Sequence, residues 1–129
     1  MSNREKINRS MTLASDGDLE AGMQALMDMF APDFIVHESP MTPFAGDYQG
    51  MEEYLPNYEN ILRHTIPTEL KLIRVLGDDE YVCAMYTIPW RATLESEPVR
   101  IRVSEWFRFN SDDKIAEVWP FFFEVPTAP

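Results

Sequence analysis

The second half of this chain consists of four strand-like runs that short polar turns separate. Strands joined by short turns pair with their neighbours and form an antiparallel meander. Several of these runs are long, as expected for a strongly bent sheet that wraps over helices. The predicted strands are residues 70–76, 81–90, 99–109 and 115–125.

The first half of the chain repeats apolar residues at helical spacing. Asp18 is a suitable N-cap for the second helix, Pro32 is expected to end it, and Pro67 to stop the third. Helices followed by a meander predict one α+β domain over residues 1–129. The predicted helices are residues 3–15, 19–30 and 51–63, with a short strand at residues 34–38.

The composition excludes several classes of partner. Eight Phe, five Tyr and three Trp in 129 residues favour strands and a roomy, ring-lined interior. A net charge of −11, with 11 basic residues scattered among 22 acidic ones, argues against nucleic acid and anionic membranes. The polar N-terminus and the lack of a run of about 20 apolar residues make a cytoplasmic protein the expectation.

Metal and cofactor sites are not indicated by the sequence. Cys83 is the single cysteine, so neither an intramolecular disulfide nor a cysteine-based metal cluster is possible. His37 is expected to face away from Glu38, and His64 lies near the end of the third helix. The chain contains no ligand spacing typical of zinc and no nucleotide-binding glycine pattern. We therefore expect no metal and no cofactor.

Glu105 breaks the apolar pattern of its strand. Side chains alternate between the two faces of a strand. Glu105 is the one ionisable residue on a face that is otherwise apolar. A buried carboxylate must be paired or stay protonated, and a protonated carboxyl is a common active-site device. A local bulge or a buried partner would make Glu105 structural instead. The other residues on this face are Ile101, Val103, Phe107 and Phe109.

Glu38 is a second candidate acid. It follows Phe34 and Val36 at strand spacing, and an irregular Pro/Gly-rich loop begins next to it. A carboxylate at the end of a strand is well placed to act as a base. The same position is typical of an ordinary surface acid, so the residues alone leave both roles open.

Five short motifs, taken in order, resemble the nuclear transport factor 2-like superfamily, which includes ketosteroid isomerases and SnoaL-like polyketide cyclases. The resemblance covers nearly the whole chain. It implies a cone in which a bent antiparallel sheet and helices enclose a deep apolar pocket. The motifs are DGDLE at 16–20, FAPDF at 30–34, AGDYQG at 45–50, EWFRF at 105–109 and DKI at 113–115.

The resemblance also implies roles for the two acids. Glu38 falls at the position of the general base of ketosteroid isomerases, and Glu105 at that of their protonated acid, which hydrogen-bonds to the developing oxyanion. The oxyanion-hole tyrosine of these enzymes falls at Ser10, whose side chain is too short for that role. The implied ligand-binding residues are Tyr54, Tyr86, Ile88, Trp90, Ile101, Val103, Val118 and Phe122.

Three functions remain open at this point. The first is a cofactor-free isomerase- or cyclase-like enzyme that acts on an apolar carbonyl compound through Glu38 and Glu105, with dehydratase chemistry also open. The second is a non-catalytic protein that binds a small hydrophobic molecule. The third is a dimerisation module. The face opposite the pocket carries an apolar patch that predicts a homodimer, made of Trp106, Trp119, Phe121 and Phe123.

Overall fold

The structure, a computed structural model, describes residues 1–124 as three helices and six strands. A single turn of 3-10 helix follows the third helix at Pro67–Glu69. The predicted first helix and the predicted strands at 81–90 and 99–109 have the same bounds in the structure. The elements are α1 Asn3–Ser15, α2 Leu19–Met27, β1 Phe30–Glu38, β2 Gly46–Gln49, α3 Gly50–His64, β3 Lys71–Gly77, β4 Tyr81–Trp90, β5 Val99–Phe109 and β6 Ile115–Phe122.

The six strands form one curled, unclosed sheet in the order β2-β1-β6-β5-β4-β3, with the helices against it. The predicted meander is present as β3 to β6, each pairing antiparallel with the next. β1 adds to the free edge of β6 in parallel orientation, so the sheet is mixed. The α+β fold predicted from the sequence is confirmed. The predicted end of the last strand, Val125, lies outside the described residues.

The prediction for the second helix is wrong at its end, and one strand was not predicted. α2 ends at Met27, and Phe30 already belongs to β1. Pairing with a distant strand accounts for the early end, because Phe30 pairs with Ile115 of β6, whose N–H donates a hydrogen bond to the Met29 carbonyl oxygen. β2 lies inside the loop predicted as irregular, where Gly46–Gln49 pairs with the end of β1.

α1 and α2 touch through a glycine contact. The Ser10 hydroxyl donates a hydrogen bond of 2.7 Å to the carbonyl oxygen of Gly22. A Cβ atom at Gly22 would lie 2.6 Å from the Ser10 carbonyl oxygen, so only glycine permits this helix spacing. The helix pair covers the sheet through a core that includes the fully buried Ile7 and Phe107. Within residues 1–124, no helix is long and apolar enough to cross a membrane.

Candidate active site

A cavity of about 220 Å³ lies between the helices and the concave face of the sheet. All three helices and the strands β1, β4, β5 and β6 contribute side chains to it. Its walls are mostly apolar, but both acids that the sequence singled out, Glu38 and Glu105, line it. The cavity therefore joins the two carboxyl groups in one apolar space.

Glu105 lies on β5 in regular register, between Ala84 of β4 and Pro120 of β6. No bulge turns its side chain away from the cavity, but the other structural alternative, a buried partner, is present in Tyr86. The Tyr86 hydroxyl donates a hydrogen bond of 2.8 Å to Glu105 Oε1. Burial raises the pKa of Glu105, and the hydrogen bond from Tyr86 opposes this rise only in part.

Glu38 is only 5% exposed, so the alternative of an ordinary surface acid is wrong. The Asn57 side chain on α3 donates a hydrogen bond of 3.0 Å to Glu38 Oε2. Glu38 Oε1 is buried and has no hydrogen-bond partner among the described residues. Burial raises the pKa of Glu38 to about 7, although the Asn57 hydrogen bond lowers it and the charge of Glu105 raises it further.

The register of the sheet sets the separation of the two acids. Val36 of β1 pairs with Val118 of β6, and extending this register by two residues brings Glu38 level with Pro120. Pro120 in turn pairs with Glu105. The backbones that carry the two acids are thus two strand spacings apart, or roughly 10 Å. Both side chains line the cavity on the concave face, so both face the same bound molecule.

Three tyrosines supply phenolic hydroxyl groups to the cavity: Tyr54 and Tyr58 on α3 and Tyr86 on β4. The Tyr54 ring is held by edge contact with Phe34, at 6.1 Å between ring centroids. Its hydroxyl has no hydrogen-bond partner within residues 1–124. Burial, followed by the charges of Glu105 and Glu38, holds the pKa of Tyr54 well above its usual range, so the hydroxyl keeps its proton and remains a donor.

Ser10 lines the cavity, but its hydroxyl is already engaged with Gly22. It therefore does not take the place of the tyrosine found in ketosteroid isomerases. Sequence reasoning did not single out Asn57 or Tyr58. A signal was present, because residues three and four positions beyond Tyr54 share its face of α3.

Most of the predicted ligand-binding residues line the cavity, and two do not. Trp90 and Ile101 are buried in the core beside it. The Trp90 ring stacks on His64 at 4.8 Å and packs on Phe44 at 5.7 Å. These contacts fix the end of β4 rather than the cavity wall. The predicted residues that do line the cavity are Tyr54, Tyr86, Ile88, Val103, Val118 and Phe122.

His37 faces away from Glu38, as predicted, and takes part in an ion-pair cluster on the convex face. Its Nδ1 and Nε2 atoms lie 2.8 Å from carboxylate oxygens of Asp47 and Glu117 respectively. Burial opposes protonation, but the two carboxylates outweigh it and raise the pKa of His37. The acids bind opposite sides of the ring, so the three groups do not converge on a common metal position. This cluster joins β1, β2 and β6.

Comparisons with known proteins agree with the fold. A sequence model of the SnoaL-like domain matches residues 7–118. An NTF2-like protein from Burkholderia thailandensis superposes with a TM-score of 0.74, 19% identity and coverage of 95% of this chain and 91% of that chain. A search of curated protein sequences found no significant match.

Two further solved structures have more specific names. A protein from Jannaschia sp. CCS1, named as a SnoaL-like polyketide cyclase, has a TM-score of 0.71 and 12% identity, covering 98% of this chain and 92% of its own. AclR from Streptomyces galilaeus, named as a hydroxylase, has a TM-score of 0.62 and 16% identity, covering 95% and 90%. At these identities the likeness concerns the fold alone.

Proposed function

The chain belongs to the SnoaL-like domain family, and from this premise we propose that it is an enzyme that transfers protons on a small apolar carbonyl compound. The isomerase and cyclase reactions expected from the sequence share such a step. Two carboxyl groups and hydroxyl donors are sufficient for it, without a metal or an organic cofactor. The observation that carries the proposal is the unpartnered Oε1 atom of Glu38.

Glu38 acts as the general base in this proposal. A pKa of about 7 leaves a substantial fraction ionised at neutral pH while keeping the carboxylate basic enough to accept a proton. Asn57 holds Oε2, so Oε1 remains available for the substrate. Glu38 removes a proton from the carbon next to the carbonyl, and the electron pair of that C–H bond moves to the carbonyl oxygen as an enolate.

Glu105 stabilises the oxygen on which that charge develops. The proposal requires Glu105 to keep its proton while Glu38 loses its own, so that Glu105 can donate a hydrogen bond to the enolate oxygen. Burial, which raises the pKa of Glu105, supports this assignment, whereas the hydrogen bond from Tyr86 opposes it. Tyr86 fixes the Glu105 side chain, and the free Tyr54 hydroxyl is available as a second donor. Return of the proton from Glu38 to another carbon of the enolate completes an isomerisation. A bond from the enolate carbon to a second carbonyl carbon of the same molecule, with the proton passing from Glu38 to the oxygen of that second carbonyl, would complete a cyclisation.

Deuterium exchange tests this proposal without knowledge of the natural substrate. A panel of small cyclic ketones is incubated with the protein in heavy water, and incorporation next to the carbonyl is measured by mass spectrometry. The unmodified protein should accelerate exchange, and Glu38→Gln should lose about 10²- to 10⁴-fold of the acceleration. Glu105→Gln should lose about 10²-fold.

Glu59→Gln, on the exposed side of α3, is the matched control and should exchange at the unmodified rate. Unchanged exchange in both Glu38→Gln and Glu105→Gln would disprove the mechanism.

A non-catalytic binding protein is the second candidate, and the apolar cavity favours it. In that case ligands would bind without any deuterium exchange. Mass-spectrometric identification of a compound that copurifies in the cavity would name the ligand for either candidate. The cytoplasmic location stays a prediction.

We also propose that the protein forms a homodimer through the outer aromatic surface, defined as Trp106, Trp119, Phe121 and Phe123. Trp106 is 37% exposed and Phe121 50% exposed on the convex face of the sheet. Exposed aromatic side chains in one contiguous patch are typical of an interface. The register supports a continuous patch, because Trp106 of β5 lies directly opposite Trp119 of β6.

A further inference from the structure

The volume of the cavity limits the size of a substrate. At about 220 Å³ it is larger than a cavity of about 150 Å³ that holds one benzene molecule. It is smaller than the pockets of about 300–1,000 Å³ that enclose drug-sized ligands. On the benzene scale it holds about nine non-hydrogen atoms, which is one ring with a few substituents.

The sheet side of the cavity has little room to expand. Val103 and Val118 form part of this wall, and both are almost fully buried on central strands. Close-packed interiors resist the displacement of such side chains. A larger ligand would therefore have to extend away from the sheet and from both acids.

The opening lies on the helix side. The most exposed lining residues are Met27 of α2 and Leu55 and Leu62 of α3, so the cavity meets solvent between these helices. The Tyr58 hydroxyl lies 4.0 Å from the Met23 sulfur, which makes a contact across the two helices. A ligand with four fused rings exceeds the cavity volume, so some of its apolar rings would extend through this opening into water.

The charge of the lining excludes anionic substrates. None of the described residues that line the cavity is a lysine, arginine or histidine, whereas two are glutamates. A carboxylate or phosphate group bound here would be buried next to carboxyl groups without a cation to pair with it. The same reasoning excludes thioester substrates whose carrier bears a phosphate group, if that phosphate has to enter the cavity.

From size, opening and charge together, we infer that the substrate is a free, uncharged, single-ring ketone or enone of about nine non-hydrogen atoms. This inference rests on the proposed function for its carbonyl group, but its limits on size and charge follow from the cavity alone. Two classes are excluded as good ligands. Four-ring compounds such as steroids are too large, and ring ketones that carry a carboxylate have the wrong charge.

Binding measurements with three probes test the inference. The probes are 3-methylcyclohex-2-enone, 3-oxocyclohexanecarboxylate and androst-4-ene-3,17-dione, titrated at pH 7 and followed by chemical-shift changes. The single-ring enone should bind at least tenfold more tightly than either of the others, with nuclear Overhauser contacts to the Val103 methyl groups. Equal or tighter binding of the carboxylate or the steroid would overturn the inference.

A variant that fills the cavity locates the binding. Leu26→Trp places a larger ring at the helix side of the cavity, and Glu20→Trp on the exposed side of α2 is its control. Leu26→Trp should abolish binding of the enone and Glu20→Trp should keep it. If Leu26→Trp does not fold, the Overhauser contacts to Val103 in the unmodified protein decide the site, and their absence would contradict the inference.

The two proposals fail in different ways. An enone that binds in the cavity but exchanges no deuterium supports the limits on size and charge and disproves the proposed function. A steroid that binds more tightly and exchanges faster than the enone supports the proposed function and disproves the inferred substrate class.

Discussion

Glu38 has a raised pKa because folding removes the water that would stabilise its charge. An acid whose pKa is higher in the folded state than in the unfolded state stabilises the fold at pH values below its unfolded-state pKa. That contribution is present in full below pH 4.5 and is lost as pH rises to about 7. The difference between the two pKa values corresponds to a loss on the order of 3 kcal/mol.

Glu38→Gln should remove this pH dependence. The amide keeps an acceptor for Asn57 and carries no charge at any pH. We expect the variant and the unmodified protein to have similar free energies of unfolding near pH 4.5. At pH 8 the variant should be more stable by about 1–3 kcal/mol. Urea denaturation at several pH values measures this, with Glu59→Gln as the exposed control. A constant difference across the pH range would contradict it.

Asn57 influences the pKa of Glu38, which leads to a second prediction. Its side chain donates to Glu38 Oε2 and thereby lowers the pKa of Glu38. Asn57→Leu removes the donor, so the pKa of Glu38 should rise further above 7. The rate of deuterium exchange should rise with pH in the unmodified protein near pH 7, and in the variant this rise should shift to higher pH. If only the maximal rate falls and the profile stays in place, Asn57 has no role in setting this pKa.

At the scale of elements, the contact between α1 and α2 depends on Gly22. In Gly22→Ala the new Cβ would lie 2.6 Å from the Ser10 carbonyl oxygen and 2.9 Å from the Ala14 nitrogen. Both atoms belong to backbone, so the helices must separate. Alanine favours helix by about 1 kcal/mol over glycine, but overpacking costs about 1–3 kcal/mol.

We therefore expect Gly22→Ala to lower the melting temperature, although its helix propensity is higher. Glu20→Ala, on the exposed side of the same helix, is the control and should leave the melting temperature nearly unchanged. An increase in melting temperature for Gly22→Ala would show that the helix pair accommodates the methyl group.

The sequence predicted the helices and strands better than it predicted which side chains distant parts of the chain would bury. The alternation of β5 placed Glu105 on the cavity side, because strand parity is a local property. The burial of Glu38 was not predictable in the same way. It follows from β2, which pairs with β1 at Glu38, and from Asn57 of α3, which donates a hydrogen bond to Glu38 Oε2. No local pattern encodes these contacts.

The parallel pairing of β1 with β6 was missed for a similar reason. A short turn predicts that the two strands it joins pair with each other, whereas β1 and β6 are separated by most of the chain. The positions of Trp90 and Ile101 show the limit of parity. The resemblance placed them on the pocket side and parity groups each with the pocket face of its strand, but neither lines the cavity.

At the scale of the whole molecule, the outer aromatic surface predicts self-association. Phe121→Glu places a charge in the centre of this surface, where Phe121 is half exposed. We expect the unmodified protein to sediment as a dimer at micromolar concentration and the variant to sediment as a monomer. Leu94→Glu, an exposed apolar residue in the loop after β4, is the control and should remain a dimer. A monomeric unmodified protein would disprove the dimer.

The position of β6 has a consequence for the order in which the protein matures on a ribosome. β6 lies between β1 and β5, the strands that carry Glu38 and Glu105, yet it follows both of them in the chain. A nascent chain that already contains both acids still lacks the strand that joins them into one sheet. The two acids should therefore come together in one sheet abruptly during translation, once residues 115–122 have emerged, rather than in step with the growing chain.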